Sequence, residues 1–286
     1  MYAIPKGIVF LLEKLRRKVV RNYKIPTLTI AGSDSSGGAG IQADLKTFSA
    51  IGTYGMSVIT AITAQNTEGV FDVEELSSKI IKEQIKAVCE DIMPNSIKIG
   101  MVSSPEIILD IAESLKKYPC KYIVVDPVMI SKSGYSLLRP EAKENLIKYL
   151  IPMAYIVTPN IPEAEVLSGL KINNEEEMLT AAKYIGDHYH CAVLLKGGHQ
   201  INDANDLLYK EGNYQWFKGK RINNNNTHGT GCTLSSAIAS YLARGENLEN
   251  AVKKAKDYIS GALAAMLDLG QGQGPMDHGY VLDKKD

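Results

Sequence analysis

Short apolar runs rich in β-branched residues alternate with helix-like segments along most of the chain, and this alternation strongly constrains the fold. A strand that is buried on both faces reads as a continuous apolar run, because neither face meets water. Such strands alternating with helices are typical of a mostly parallel sheet covered on both faces. The predicted strands are 28–31, 56–63, 96–101, 122–128, 154–158 and 192–195, and the predicted helices between them are 41–51, 79–92, 105–117, 140–149, 162–168 and 175–188.

The C-terminal part of the chain departs from this alternation. Two strand-like segments, 207–211 and 214–220, flank a turn at Gly212, which predicts an antiparallel hairpin near one edge of the sheet. Two further helices are predicted at 231–244 and 248–267. We therefore expect an α/β protein, a three-layer αβα sandwich with a mostly parallel central sheet.

Length and composition indicate how the chain is divided. With 286 residues and 45% hydrophobic content, the chain can bury one large core. No repeat or linker interrupts residues 25–286, which are predicted to form a single domain. Residues 1–24 contain a six-residue apolar stretch followed at once by EKLRRK, which predicts a basic N-terminal arm or helix rather than a signal peptide. No stretch approaches the roughly 18 apolar residues of a membrane-crossing helix.

Charge and cysteine usage narrow the class of partner and the compartment. The 32 basic and 32 acidic residues cancel, so neither a nucleic acid nor a membrane is predicted as a partner. The four cysteines, Cys89, Cys120, Cys191 and Cys232, have no paired spacing, and we expect neither a disulfide framework nor a zinc knuckle. A reducing cytoplasm is the predicted location.

The run NTHGTGC at residues 226–232 leads directly into a predicted helix. Gly229 and Gly231 allow the backbone to turn tightly and to approach a ligand. The first N–H groups of a helix are unpaired and lie at the positive end of its dipole, so this turn is a candidate socket for anionic oxygen. Cys232 lies in the first turn, where the same field would favour a thiolate. A turn that only connects two elements is the alternative.

Glycines and polar residues follow five predicted strands at their carboxyl ends. Open α/β sheets bind ligands at this edge, so the sequence predicts a ligand site there. The segment from Gly32 is not a P-loop, because Gly38 and Ala39 stand where Lys and Ser or Thr are required. A dinucleotide-like pattern at 38–43 lacks an acidic residue about twenty positions further on, which argues against a nicotinamide site.

These segments resemble the hydroxymethylpyrimidine/phosphomethylpyrimidine kinases of thiamine biosynthesis, within the ribokinase-like superfamily. The matching blocks are GSDSSGGAGIQADLKT from residue 32, AQNT from 64, KIGM from 98, DPVM from 126, TPNxxEA from 158, KGGH from 196 and NTHGTGC from 226. The resemblance covers about residues 27–280 with every block in order. The N-terminal arm and one position of the tail at 274–278 depart from the family pattern.

The resemblance implies a ribokinase-like fold, a homodimer and a sequence of two reactions. ATP would phosphorylate 4-amino-5-hydroxymethyl-2-methylpyrimidine and then its monophosphate. The amides of Gly229, Thr230, Gly231 and Cys232 would form an anion hole for the transferred phosphoryl group. Most ribokinase-like enzymes have an aspartate at the position of Cys232, and a thiolate there could accept the proton of the attacking hydroxyl. The alternative is that Cys232 only lines the pocket.

Gln65 is the candidate for recognising the pyrimidine, because an amide offers one donor and one acceptor to an aminopyrimidine edge. A buried structural glutamine is the alternative. By resemblance, further residues lie beside the ring and its hydroxymethyl group, with Met101 packing on the ring: Gly32, Ala39, Asp44, Met101 and Val128. Asp44 could instead be a solvated residue in the first turns of its helix.

Asn160 and Glu163 are three residues apart at the start of a predicted helix, so both can face one ligand. The resemblance implies that they hold Mg²⁺, partly through water. Asp126 and Lys196 are expected to face the metal or the phosphates. The alternatives are a helix cap at Asn160, a favourable first-turn acid at Glu163, and a solvated lysine at Lys196.

Three functions remain open from the sequence. The pyrimidine kinase, with ATP and Mg²⁺ as cofactors and a small-molecule pyrimidine as partner, is the leading hypothesis. A pyridoxal or pyridoxine kinase is the second, because related enzymes accept vitamin B6 alcohols. A non-catalytic pyrimidine-binding protein is the third, but a binder has no need of a γ-phosphate cradle. A thiol hydrolase built on Cys232 is weaker still, because the family pattern places no His–Asn pair beside it.

Overall fold

The computed structural model describes residues 24–129, 139–197, 205–219 and 221–282. The predicted N-terminal arm therefore lies outside the described residues, except for Lys24. Gly198 and His199 of the KGGH block are also outside them.

Within the described ranges, nine strands form one sheet. They are β1 (Pro26–Asp34), β2 (Tyr54–Gln65), β3 (Val70–Glu75), β4 (Ser96–Ile99), β5 (Tyr122–Val125), β6 (Ile156–Val157), β7 (Ala192–Lys196), β8 (Asp206–Lys210) and β9 (Asn213–Phe217). Their order across the sheet is β3-β2-β1-β4-β5-β6-β7-β8-β9. The strands from β2 to β7 in this order are parallel, whereas β3, β8 and β9 each run antiparallel to a neighbour. The predicted parallel sheet and edge hairpin are confirmed.

Helices cover both faces of this sheet. They are α1 (Gly40–Ile51), α2 (Ser78–Asp91), α3 (Pro105–Lys117), α4 (Pro140–Asn145), α5 (Ile161–Ser168), α6 (Glu175–Tyr189), α7 (Thr230–Ala243) and α8 (Leu248–Ala264). Ile123 and Val125 pack into a core with α2 to α6, whereas Val124 between them packs with α1, α7 and α8. This alternation explains why β5 carries no polar residue between Ile123 and Val125. Among the described helices, none has the length and apolar character needed to span a membrane.

Two elements differ from the prediction. Strand β3 was not predicted, because it lies at the sheet edge with Phe71 68% exposed and has no continuous apolar run. The helix expected at 140–149 is α-helical only to Asn145, after which the chain forms a π-helical turn and a 3₁₀ turn. Pro152 lies in the 3₁₀ turn and has no backbone N–H to continue a helix.

The site lies beside β1, where the order in which successive strands join the sheet changes from one side to the other. Strand β2 pairs with one side of β1, and β4 pairs with the other, so the loops that follow β1 and β4 diverge to opposite faces. Open sheets bind ligands in the crevice that such a divergence creates outside the carboxyl ends of the strands.

Candidate active site

The carboxyl ends of the parallel strands open into a cavity of about 1020 Å³. This volume is at the upper end of the range usual for ligand pockets, roughly 300–1,000 Å³. Every predicted site residue except Asp44 lines it: Gly32, Ala39, Gln65, Met101, Asp126, Val128, Asn160, Glu163, Lys196, Gly229, Thr230, Gly231 and Cys232. Residues from distant parts of the sequence therefore meet around one space.

The N-terminus of α7 forms the floor of this cavity at one end. Gly229 caps the helix with φ 79°, a left-handed conformation that side chains other than glycine rarely adopt. A Cβ atom at Gly229 would lie 1.8 Å from the carbonyl oxygen of Gly38, so this turn packs directly on the loop before α1. No side chain caps the helix, and Thr233 donates the first helical bond back to Gly229. The Thr230 amide donates to the Thr227 carbonyl within this turn, and the amides of Gly231 and Cys232 follow it at the position of the predicted anion socket.

The thiol of Cys232 lies beside this socket. Burial, together with the carboxylates of Asp44 and Asp126, raises the pKa of Cys232 to about 11. Lys98 and a hydrogen bond from the Gly40 amide act in the opposite direction but do not outweigh burial. The thiol is therefore protonated at neutral pH in the ligand-free protein. This differs from the thiolate expected at a helix terminus, because the sequence alone revealed neither the burial of the thiol nor its two neighbouring carboxylates.

Asp44 lies beneath the cavity wall rather than in it, and its predicted contact with the substrate ring requires correction. Its side chain is fully buried, and the Lys98 Nζ atom lies 2.9 and 3.1 Å from the two carboxylate oxygens. The hydroxyl groups of Thr29 and Ser236 donate further hydrogen bonds to the same carboxylate. Burial alone would lower the pKa of Lys98, but Asp44 outweighs it and raises that pKa. Asp44 therefore supports the site from below.

A second lysine–aspartate pair faces the cavity. The Lys196 Nζ atom lies 3.0 Å from Asp126 Oδ1, to which the Thr158 hydroxyl also donates at 3.1 Å. The side chain of Lys196 is 19% exposed, whereas that of Lys98 is not exposed at all. Lys196 can therefore exchange its partner for a ligand oxygen without leaving the site.

Asn160 and Glu163 begin helix α5 as a reciprocal capping box. The Asn160 side chain accepts a hydrogen bond from the Glu163 amide, and the Glu163 carboxylate accepts one from the Asn160 amide, both at 2.9 Å. Burial raises the pKa of Glu163 to about 7, with Lys196 lowering it and Asp126 raising it. The helix-capping role considered from the sequence is thus present in the structure.

The capping box does not use up the oxygen ligands of this region. No group of three or more His, Cys, Asp or Glu residues suited to a metal occurs in the described part of the chain. Mg²⁺ needs fewer protein ligands than that, because it keeps several waters and uses one or two carboxylates plus substrate phosphates. Glu163 and Asp126 act on each other's charge and both line the cavity, so this region fits that donor set.

The region of the cavity around Gln65, which we call the acceptor region, has an apolar wall beside the Gln65 amide. Gly32 lies against Met101, whose sulfur would be 3.2 Å from a Cβ atom at that position. Val128 and Ala39 also line the region, and Gln65 ends strand β2 beside it. An apolar wall with one donor–acceptor pair suits a small heteroaromatic ring.

Sequence reasoning assigned no role to Asp34 or His228, which join the acceptor region to the α7 socket. The His228 Nε2 atom lies 2.8 Å from Asp34 Oδ2 and 3.2 Å from the amide nitrogen of Gln65. Burial alone would raise the pKa of Asp34, but hydrogen bonds from His228, Ser36 and the Ala39 amide hold it below its ordinary value. Their positions, Asp34 at the end of β1 and His228 directly before the socket, were the available signal.

Sequence reasoning also missed the far wall of the cavity. Ile222 and Asn223, in the loop before α7, line the cavity together with Ile259 and Leu263 of α8. These residues are scattered in the sequence and carry no motif, so only the packing of α8 against α7 brings them together.

Comparisons with known protein sequences agree with this geometry. The sequence profile of the phosphomethylpyrimidine kinase family matches residues 34–277. A hydroxymethylpyrimidine/phosphomethylpyrimidine kinase of Rhizobium meliloti is 51% identical over 255 residues, covering 88% of this chain and 96% of that protein. The thiamine biosynthesis bifunctional protein of Geobacter sulfurreducens is 48% identical over 252 residues. The match covers 88% of this chain but about half of that longer relative, 51% of its length.

Solved structures with the same fold include two kinds of kinase. A phosphomethylpyrimidine kinase from Clostridium difficile is 64% identical with a TM-score of 0.75, and the match covers 83% of this chain and 98% of that one. A pyridoxal kinase from Bacillus subtilis, solved with ADP, is 35% identical with a TM-score of 0.84, and covers 92% and 100%. The ribokinase-like architecture expected from the resemblance is therefore confirmed.

Proposed function

Because the chain belongs to the phosphomethylpyrimidine kinase family, we propose that it phosphorylates 4-amino-5-hydroxymethyl-2-methylpyrimidine in thiamine biosynthesis. ATP supplies the γ-phosphoryl group to the hydroxymethyl oxygen, and a second ATP phosphorylates the resulting monophosphate. The observation that carries this proposal is that the α7 anion socket and the Gln65 amide face the same cavity.

The residues around the socket contribute mainly positioning and charge neutralisation, on which phosphoryl transfer depends. The amides of Gly229 to Cys232 would receive the oxygens of the phosphoryl group in transfer. Lys196 would leave Asp126 for a phosphate oxygen. Asn160 and Glu163, with Asp126 nearby, would hold Mg²⁺ partly through water, and the metal supplies charge neutralisation on the phosphates.

Cys232 is the proposed acceptor of the hydroxyl proton in the first reaction. Its raised pKa means that the thiolate is a minor form of the free enzyme at neutral pH. The second reaction places a different demand on the site. Its attacking atom is a phosphate oxygen, and a phosphate monoester with a second pKa of about 6 has already lost that proton at pH 7. The two steps therefore depend unequally on Cys232.

A pyridoxal kinase is the second candidate, because solved pyridoxal kinases share the fold at 35–38% identity. Gln65 favours the pyrimidine, since its amide matches the donor and acceptor of an aminopyrimidine edge. The cytoplasmic homodimer implied by the resemblance, and the single domain at residues 25–286, belong to the same proposal.

Purified protein with Mg-ATP and each of three acceptors tests this function. We expect the pyrimidine alcohol and its monophosphate to gain one phosphoryl group each, as followed by mass spectrometry, and pyridoxal to react more slowly. Gln65→Leu should lower kcat/KM for the alcohol by roughly ten- to a hundred-fold, because a ring group loses its partner. Equal turnover of pyridoxal would favour the vitamin B6 kinase, and no turnover of any acceptor would favour a binding protein.

A further inference from the structure

If the side-chain nitrogen of Gln65 faces His228, hydrogen-bond donors and acceptors around this amide do not match. The carboxylate of Asp34 can only accept, so the His228 Nε2 atom at 2.8 Å from it must carry the hydrogen. That same Nε2 lies 3.2 Å from the amide nitrogen of Gln65, which is also a donor. Two donors therefore face each other.

A second conflict lies at the other end of the same amide. The Thr63 hydroxyl has one hydrogen, and it donates that hydrogen to the carbonyl oxygen of Ser33 at 2.7 Å. Its oxygen is then an acceptor toward Gln65, yet the carbonyl oxygen of the amide, another acceptor, lies 3.2 Å away. The two ends of an amide are distinguished by their hydrogen-bond network, and both conflicts vanish when the amide is turned by 180°.

We infer that Asp34, His228 and Thr63 are positioning residues that lock the Gln65 amide with its oxygen toward His228 and its nitrogen toward Thr63. Asp34 is itself held in place, because Ser36 and the Ala39 amide donate to its two carboxylate oxygens at 2.7–2.9 Å. The backbone of Gln65 is fixed as well, through a reciprocal pair of hydrogen bonds with Ser35. Hydrogen bonds therefore hold both Asp34 and the backbone of Gln65 in place.

The locked amide orients the substrate ring, and this step rests on the proposed function. One lone pair and one hydrogen of Gln65 remain for a ligand. The 4-amino group of the pyrimidine donates to the amide oxygen, and the neighbouring ring nitrogen accepts from the amide nitrogen. The reacting hydroxymethyl group is attached next to the 4-amino group. It therefore lies on the His228 side of the ring, and His228 directly precedes the α7 socket.

The opposite amide orientation would turn the hydroxymethyl group away from the socket. It would also match a different ring, the 4-oxo analogue, whose ring nitrogen donates and whose exocyclic oxygen accepts. The lock thus selects a 4-aminopyrimidine over a 4-oxopyrimidine of the same shape, because the exocyclic oxygen of the wrong analogue faces the amide oxygen and its ring N–H faces the amide N–H.

The test compares kcat/KM for the 4-amino alcohol and for 5-hydroxymethyl-2-methyl-4-oxopyrimidine. We expect the unaltered enzyme to prefer the amino compound by roughly ten- to a hundred-fold. Thr63→Val and His228→Phe should each lower this ratio, and the double variant should bring it to about one, because the amide can then turn freely. Thr63→Ser keeps the hydroxyl and should keep the ratio.

A merely structural role would lower kcat/KM for both compounds by the same factor and leave the ratio unchanged. An unchanged ratio in Thr63→Val and in the double variant, or a ratio near one in the unaltered enzyme, would overturn the inference. Should His228→Phe fail to fold, the Thr63→Val and Thr63→Ser pair still decides it. Failure of the unaltered enzyme to phosphorylate the amino compound at all would instead overturn the proposed function, and the inference with it.

Discussion

Two lysine–aspartate pairs at the carboxyl edge of the sheet have the same charges and opposite environments. The pair of Lys98 with Asp44 is fully buried, and hydroxyl groups complete the hydrogen bonds of its carboxylate. The pair of Lys196 with Asp126 lines the cavity, and its lysine is partly exposed. Both aspartates are buried, but only the second pair has a lysine that is exposed to the cavity. Burial therefore separates a supporting ion pair from one that is available to a ligand.

The charges of both pairs affect the pKa of Cys232. Lys98 lowers the pKa of its thiol, while Asp44 and Asp126 raise it. Both the buried pair and the pair that faces the cavity therefore act on one thiol. We expect variants of Cys232 to have the largest effects on turnover.

Cys232→Ala should separate the two phosphorylation steps. We expect turnover of the alcohol to fall by about 10²–10⁴, the usual contribution of a positioned base, with little change in its KM. Turnover of the monophosphate should fall by less than about ten-fold, because its attacking oxygen needs no base. Steady-state kinetics with each acceptor measures both, with Cys120→Ala as the control. Parent rates for both acceptors would mean that Cys232 only lines the pocket.

Breaking each ion pair in turn should distinguish their roles in stability. Lys98→Met leaves Asp44 buried and unpaired, and should lower the free energy of unfolding by about 3–5 kcal/mol. Lys196→Met should cost less than Lys98→Met, because the Lys196 side chain is 19% exposed, while it lowers turnover. Urea denaturation measures both, and Lys98→Met combined with Asp44→Leu should recover part of the loss. Equal losses for the two lysines would contradict this distinction.

The pH dependence of Cys232 reactivity tests the balance of charges around it. The reactive species is the thiolate, so alkylation by iodoacetamide should accelerate about ten-fold per pH unit from pH 7 upward. With the pKa raised to about 11, no plateau is expected below that pH. The gain in intact mass gives the rate of alkylation, and Cys232→Ala shows the contribution of the other cysteines. A plateau below pH 8 would show that the helix field outweighs burial and the two carboxylates.

Glu163→Gln should have the smallest of these effects, on the metal requirement of the open site. Removing one carboxylate charge near the phosphates should raise the Mg²⁺ concentration for half-maximal activity by roughly ten-fold, as loss of an outer ligand typically does. Glu165→Gln, two residues further on and paired with Lys171 at the surface, is the matched control. Superimposable Mg²⁺ titrations for all three proteins would leave Glu163 with only its capping role.

The sequence by itself determined the architecture and most of the cavity lining. Apolar runs separated by helix-like segments predicted the parallel sheet, because a strand buried on both faces has apolar residues at successive positions. The glycines and polar residues after each strand predicted the site, because the carboxyl ends of parallel strands share one edge. Strand β3 escaped detection because a sheet edge exposed to water does not require an apolar run.

Only the tertiary structure decided which charges face the ligand and which lie beneath it. Asp44 and Asp126 each end up beside a lysine that is distant in the sequence, and nothing in their local sequence states which pair is buried. The pKa of Cys232 and the link from Asp34 through His228 to Gln65 likewise depend on residues from separate elements. Electrostatic energy depends on distance and burial in three dimensions, and a local sequence pattern contains neither.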